Sequence, residues 1–285
     1  MIAVSLPDIP LLRLTGADVR RFCNGMFTNN VRDLQVGGGQ RSAMCDAKGK
    51  LLGLMDLYLI AENQVLVALE GVSAQEFETR YEKFIVFDDV ELQVEPGQML
   101  TIQGEGAAEV LAARGWPVPS DGAVEHGDGW VFRRNRTAGG GFDVWLRSPT
   151  DLTFSPFSEL EYGRVDAGKV RWPVDMPSRM LIHELGLRDE VCHFEKGCYV
   201  GQEIIHRLDV MGQIRRRLVR LSLSGPVPSE CALFDASGEK VGVVTSPIDG
   251  PNGWLALSVI RIPLDASGTA LTARWEDGEA QAWVR

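Results

Sequence analysis

The stretch FEKGCYVGQE, from Phe194 to Glu203, gathers residue types that could do chemistry. Its single cysteine, Cys198, follows a lysine-glycine step and precedes a second glycine that opens the polar, helix-competent run QEIIHRL. Amides at a helix start favour a nearby anion, so a thiol facing them would ionise more readily, and Lys196 would add to that. Gly197 and Gly201 allow the backbone to come close to a ligand or another segment. Gln202 and Glu203 would cap the helix or meet a partner. No helical or alternating period precedes Gly201, which places Cys198 in a loop, where reactive groups are displayed more often than core ones. Packing is the competing reading, because a lone cysteine is most often a small buried hydrophobe.

Two other arrangements of the same region are weaker. Cys192, His193, Cys198 and His206 have the spacing of neither paired C-x-x-C units nor a zinc finger, so no metal site is expected. A cysteine-histidine nucleophile pair would need a third, orienting group that the spacing does not supply. The remaining cysteines read as packed. Cys23 shares an apolar stripe with Val19, Phe22, Met26 and Phe27, Cys45 lies in a strand-like run, and Cys231 opens a later strand. Five cysteines, an odd number, fit a reducing compartment.

The elements that would position this loop are mixed. Residues 17 to 27 have helical spacing, and the polar FTNNV ends that helix. Strand-like runs follow around RSAMCDAKGKLLGLMDLYLI and NQVLVALE. Ser73 and Glu76 form a capping box ahead of Phe77, Tyr81, Phe84 and Ile85 at helical spacing. VELQVE, MLTIQG, WVFRRN and FDVWLR read as strands and GAAEVLAARG as a short helix. The Gly139 to Gly141 loop lacks the pattern of a phosphate-binding loop. From about Leu218 the chain turns to short alternating runs broken by Ser237-Gly238 and Asp277-Gly278, for which a closed antiparallel barrel is the natural solution. The class is α+β with an all-β module at the end.

A length of 285 residues and a hydrophobic fraction of 45% are those of a folded globular protein. The net charge of −10 argues against broad attraction to DNA or to an anionic membrane. The basic cluster Arg215, Arg216, Arg217 and Arg220 reads as alternating charges on a strand face. The apolar run LLGLMDLYLI is about half of a bilayer span and contains Asp56, and the N-terminus has no positively charged leader. A cytoplasmic protein without a membrane segment is expected.

FEKGCYVGQE closely resembles the K-G-C-Y-x-G-Q-E signature of the YgfZ folate-binding proteins, whose mitochondrial relatives assist iron-sulfur protein maturation. Every fixed position is filled, by Lys196, Gly197, Cys198, Tyr199, Gly201, Gln202 and Glu203. FCNGMFTNNV resembles that family's F-L-Q-G-x-x-T-x-D-V helix end, with Asn30 in place of the aspartate. CDAKGK resembles its C-D-x-K-G-K turn, RVDAGKVRWPVD its R-I-x-A-G-x-P stretch, and GVVTSP a strand of its barrel. These weaker motifs are shared with the glycine-cleavage T-protein, an aminomethyltransferase.

The resemblance implies a T-protein-like multidomain fold around a central folate channel. Residues 1–212 would form the folate-binding region, as two intertwined α+β subdomains, and 213–285 the antiparallel β-barrel. The implied cofactor is tetrahydrofolate or a substituted tetrahydrofolate. Asp166 matches the glutamate that grips the pterin. Arg164 would support it or form an outward salt bridge, and Trp172 and Tyr199 could stack on a flat ring. The T-protein's assisting aspartate falls at about Gly53 or Leu54. Asp56 is two or three residues further, where a strand side chain differs in face or depth.

The implied function is that of an accessory protein for iron-sulfur cluster assembly or repair, including cluster enzymes that modify tRNA. Cys198 would be its thiolate, iron-sulfur client proteins its partners, and a monomer its form. The alternative is a tetrahydrofolate-dependent aminomethyl or one-carbon transferase, which needs a catalytic acid. Whether the chain is an enzyme is left open. A third reading makes the loop a docking epitope without chemistry.

Overall fold

The computed structural model describes residues 1–86, 88–212 and 214–285, arranged as two compact units. The first unit contains residues 1–155 and 189–204, and the second contains residues 156–188 and 205–285.

In the first unit the chain forms β1 (Ile2–Ser5), β2 (Leu11–Thr15), α1 (Val19–Met26), β3 (Gly39–Cys45), β4 (Leu51–Ala61), β5 (Gln64–Glu70) and α2 (Ala74–Ile85). It continues with β6 (Glu91–Val94), β7 (Gln98–Gln103), α3 (Ala107–Ala113), β8 (Ala123–His126), β9 (Gly129–Arg133) and β10 (Gly141–Leu146). Two five-stranded antiparallel sheets result, in the orders β3-β4-β5-β2-β6 and β1-β7-β10-β9-β8. Tyr58 of β4 stacks on Phe132 of β9, with ring centroids 4.4 Å apart.

The strand-like run RSAMCDAKGKLLGLMDLYLI divides into β3 and β4, and CDAKGK between them is a turn, as the family resemblance implies. The Asp46 carboxylate accepts hydrogen bonds from the amides of Lys48 (2.8 Å) and Lys50 (2.9 Å), and Gly49 takes a φ of +68°. An aspartate side chain that satisfies the backbone two and four residues on reverses the chain without an Asn-Gly pair. The helices predicted over residues 17–27 and behind Ser73 form as their spacing implies. Val19, Phe22 and Cys23 bury one face of α1, and Phe27 behind it packs edge-on against Phe22 and Tyr81. Ser73 caps α2 by accepting from the Glu76 amide at 3.1 Å.

In the second unit come α4 (Phe157–Asp166) and a short 3-10 turn (Ile182–Leu185). The chain passes between the units within α5 (Arg188–Val191) and again within α6 (Gln202–Met211). The expected boundary between residues 212 and 213 lies after α6 and ahead of the first barrel strand. The barrel is β11 (Arg216–Leu223), β12 (Ala232–Phe234), β13 (Lys240–Ile248), β14 (Trp254–Arg261), β15 (Ala270–Trp275) and β16 (Gly278–Val284). It closes in the order β11-β14-β13-β12-β15-β16 around Leu221, Leu233, Val244, Ile260, Leu271 and Ala282. The arginines of β11 are paired one by one: Arg216 with Glu184 (2.9 Å), Arg217 with Asp265 (2.9 Å), and Arg220 with the carbonyl of Asp166 (2.7 Å). Among the described residues no helix is long and apolar enough to cross a membrane.

Candidate functional site

Cys198 is exposed, in irregular backbone between α5 and α6. The segment around it is held firmly to the rest of the first unit. The Lys196 ammonium donates to the carbonyls of Phe27 (2.6 Å) and Asn29 (2.7 Å), and the side chain is buried. The His193 amide donates to the Thr28 carbonyl at 3.2 Å. The Thr28 hydroxyl donates to the Val191 carbonyl and accepts from the Ala43 amide. Gly201, with φ +85°, lies so close to the β3–β4 turn that a Cβ there would be 2.6 Å from the Asp46 carbonyl oxygen and 3.2 Å from Cys45 Cβ. Gly197 has open space around it and no left-handed φ, so nothing in its surroundings requires glycine.

The signature residues divide accordingly. Tyr199 is buried, with the Lys196 ammonium 4.8 Å from its ring centroid. Gln202 Oε1 accepts from the Tyr199 amide, and the Gln202 amide donates to the Tyr199 carbonyl, both at 3.2 Å, which closes the turn into α6. Glu203 is exposed in the first turn of α6. Burial pulls the Lys196 ammonium down to about 7, while two carbonyl acceptors and the tyrosine ring favour its charge. The thiols that feel Lys196 are Cys192 and Cys23. Its hydrogen bonds tie the loop down to residues 27 and 29.

Three of the other cysteines, Cys23, Cys45 and Cys231, are buried. Burial pushes the Cys23 thiol up to about 12, the Cys45 thiol well above its ordinary range, and the Cys231 thiol up to about 11. These are protonated, packed sulfurs, as sequence reading expects. Among the described residues no group of three or more His, Cys, Asp or Glu side chains is placed to hold a metal ion.

A buried charge cluster in the first unit was not anticipated. Arg41 of β3 bonds Glu70 at 2.7 Å and Glu190 at 2.9 Å, and Arg134 bonds Asp56 at 2.9 Å. Arg136 grips Asp143 through two nitrogens. Burial opposes the charge of Glu70, yet Arg41, Arg136 and Arg134 hold its carboxyl down to about 2. At Asp56 burial prevails over the attraction of Arg134 and raises the pKa. The available signal was a charge inside an otherwise apolar strand, at Asp56 in LLGLMDLYLI and at Asp143 in GFDVWL.

The same strand shows what happens at the T-protein aspartate position. A Cβ on Gly53 would meet Met44 Cε at 2.5 Å and Val72 Cγ2 at 2.6 Å, and Leu54 is fully buried. Neither position offers a carboxylate, and Asp56 is engaged by Arg134. Asn30 is also structural: its amide donates to Asp33 at 2.8 Å and its carbonyl oxygen accepts from the Asp33 amide.

In the second unit Asp166 is the last residue of α4, a position where the helix dipole disfavours a carboxylate. Arg285 compensates it at 2.9 Å, and the side chain stays 44% exposed. Arg164 points inward. It bonds Glu161 (2.9 Å), Asp175 (2.8 Å), the Lys169 carbonyl (2.7 Å) and Ser246 (2.8 Å), where an outward salt bridge was one of the two expectations. Trp172 is half-buried.

Comparisons with known proteins bear on the fold and the family. Residues 215–284 match the family described as the CAF17 C-terminal beta-barrel domain. The crystal structure of the glycine cleavage system aminomethyltransferase T from Bartonella henselae superposes with a TM-score of 0.89, at 20% identity, over 99% of this chain and 84% of that one. The fold is therefore T-protein-like, with a closed six-stranded barrel at its C-terminal end. The tRNA-modifying protein YgfZ of Aliivibrio fischeri is 26% identical over 91% of this chain and 85% of its own length. That of Vibrio vulnificus is 33% identical over 78% of this chain and 70% of its own. With such identity carried across more than two thirds of both sequences, the chain belongs to the YgfZ family.

Proposed function

We propose that the chain is a folate-binding accessory protein for iron-sulfur cluster assembly or repair, serving cluster enzymes that modify tRNA, and that Cys198 is its working thiol. The observation that carries this reading is the contrast between one exposed sulfur and the immobilised frame around it. Lys196, Tyr199, Gly201 and Gln202 are all committed to fixing the loop, and Cys198 is left facing solvent. A thiolate there offers iron a soft ligand and a client an accessible nucleophile. Relatives named as tRNA-modifying proteins support the pathway. Five free cysteines suit a cytoplasmic setting.

Tetrahydrofolate, or a substituted form, would present a pterin edge of N–H donors. Asp166 is an accessible carboxylate able to accept from that edge, with Arg285 as the partner it would exchange. Arg164 would act as a positioning residue, holding the helix that ends in Asp166. The T-protein fold favours a second reading, a tetrahydrofolate-dependent aminomethyl or one-carbon transferase. That reading needs a carboxylate at the reacting amine, and positions 53 and 54 supply none; loss of such a group costs roughly two or more powers of ten in rate.

In a strain lacking its YgfZ protein, the wild-type chain should restore the products of cluster-dependent tRNA modification, and Cys198→Ala should leave them near the level of the empty vector. Full rescue by the alanine form would end the thiol's role and favour the docking reading. For the ligand, calorimetry with tetrahydrofolate should show binding that Asp166→Ala weakens about tenfold or more, the loss of a charge-assisted pair. Unchanged affinity in the variant would remove Asp166 from the site, and no heat from folded wild type at millimolar ligand would remove the folate.

A further inference from the structure

Of two buried arginines in the first unit, Arg41 keeps a donor that meets no acceptor, and Arg134 meets two of its three carboxylates only at long range. The side chains of Arg41 and Arg134 are 4% and 10% exposed. Arg41 uses Nη2 for Glu70 (2.7 Å) and Nη1 for Glu190 (2.9 Å), and its buried Nε meets no acceptor. Arg134 uses Nε for Asp56 (2.9 Å). Its Nη2 is 3.7 Å from Glu70 and its Nη1 3.8 Å from Glu190, both beyond hydrogen-bond length, and the Nη1 contact to the Asn135 carbonyl is 3.5 Å. A desolvated guanidinium with a donor left open is costly to a fold, and the fork geometry is well matched to a planar or tetrahedral oxyanion.

Glu190 differs from the other carboxylates of this cluster. Asp56 and Glu70 are buried strand residues whose charges offset those of Arg41 and Arg134. Glu190 comes from the four-residue α5, its side chain is 31% exposed, and its Oε1 lies 2.9 Å from Arg41 and 3.8 Å from Arg134. If it swings outward, the remaining charges, Arg41, Arg134 and Arg136 against Asp56, Glu70 and Asp143, sum to zero, and an entering anion replaces the negative charge that left. We propose that Arg41 and Arg134 form a binding site for a small oxyanion, a carboxylate or a phosphate, and that Glu190 is the internal occupant such an anion displaces. An anion with two or three acceptor oxygens can serve Arg41 Nη1 and the outer edge of Arg134 together, whereas Glu190 Oε1 is at hydrogen-bond length from Arg41 and 3.8 Å from Arg134. A tethered carboxylate competes at an effective concentration in the millimolar range, so the wild type binds free anions weakly.

The test compares wild type, Glu190→Ala and Glu190→Ala/Arg41→Met at constant ionic strength. Each is titrated calorimetrically with inorganic phosphate and, separately, with glutarate, and thermal midpoints are recorded alongside. Glu190→Ala should bind one of the two at least about tenfold more tightly than wild type, with a midpoint that rises with that anion, and the anion that does so identifies the source. The added Arg41→Met should abolish both effects. If the double variant does not fold, Glu190→Ala/Arg134→Gln takes its place. Equal affinity in wild type and Glu190→Ala for both anions overturns the proposal, as does tightened binding that survives loss of the arginine.

Discussion

Arg164→Met should destabilise the second unit by about 3–5 kcal/mol, the cost of leaving a buried charge without its partner. The charge left behind is Asp175, which is fully buried. Its oxygens are shared among Arg164 Nη1 (2.8 Å), the Arg171 amide (2.9 Å), Thr245 Oγ1 (2.6 Å) and Ser246 Oγ (2.7 Å). The arginine also ties α4, through Glu161 within it, to Ser246 of the barrel. Urea unfolding of the full chain, followed by a probe in the barrel such as Trp254, measures the loss. The double variant Arg164→Met/Asp175→Leu should recover part of it, because an unpaired carboxylate costs more than an apolar pair. A single-variant loss under about 1 kcal/mol would show that water or the two hydroxyls compensate Asp175 by themselves.

Gly201→Ala should have a comparable effect confined to the thiol loop. A left-handed φ of +85° costs a Cβ-bearing residue about 1–2 kcal/mol, and overpacking against a fixed neighbour adds about 1–3 kcal/mol. Here the neighbours are backbone: the Asp46 carbonyl oxygen at 2.6 Å and Gly49 Cα at 3.1 Å. The loop is expected to lift off the β3–β4 turn before the unit unfolds. Amide exchange across residues 193–201 should quicken, and the buried Cys45 should become open to alkylation. Gly197→Ala is the control, with open space and an ordinary φ, and should stay within about 0.5 kcal/mol of wild type. Unaltered exchange and a protected Cys45 in Gly201→Ala would mean that the turn yields and the loop does not depend on it.

The loop, the capped helix α2 and the barrel were legible in the sequence because each is specified by neighbours a few residues apart. Ser73 and Glu76, the polar run after Gly201, and the turn dipeptides of residues 218–285 act locally. The arginine cluster was not legible, because Arg41 meets Glu190 across 149 positions and Arg134 meets Asp56 across 78. No spacing rule reaches that far, although Asp56 inside a run of leucines was a visible anomaly. The β3–β4 reversal is invisible to strand patterning, because its instruction is a single side chain, Asp46, and not a turn dipeptide; the family resemblance of CDAKGK alone marks it as a turn. Helix α4 went unread because its buried Leu160, Arg164 and Val165 combine two apolar residues with one charge, which blurs the stripe. Lys196 shows a subtler limit. Sequence placed it two residues from Cys198, and its direction, toward the carbonyls of residues 27 and 29, is set by packing.

Strand β3 ends its sheet, and its outward backbone is occupied: the Arg41 carbonyl accepts from the Asn29 side chain, the Ala43 carbonyl from the Thr28 amide, and the Ala43 amide donates to Thr28 Oγ1. Thr28 is in turn pinned by Val191 and His193. The polypeptide bearing the sulfur thus also holds in place the residues that shield a raw rim, one that could otherwise template strand addition from another molecule. Whatever pries residues 191–201 away weakens that shield, whereas the barrel, sealed on itself, has no rim to guard.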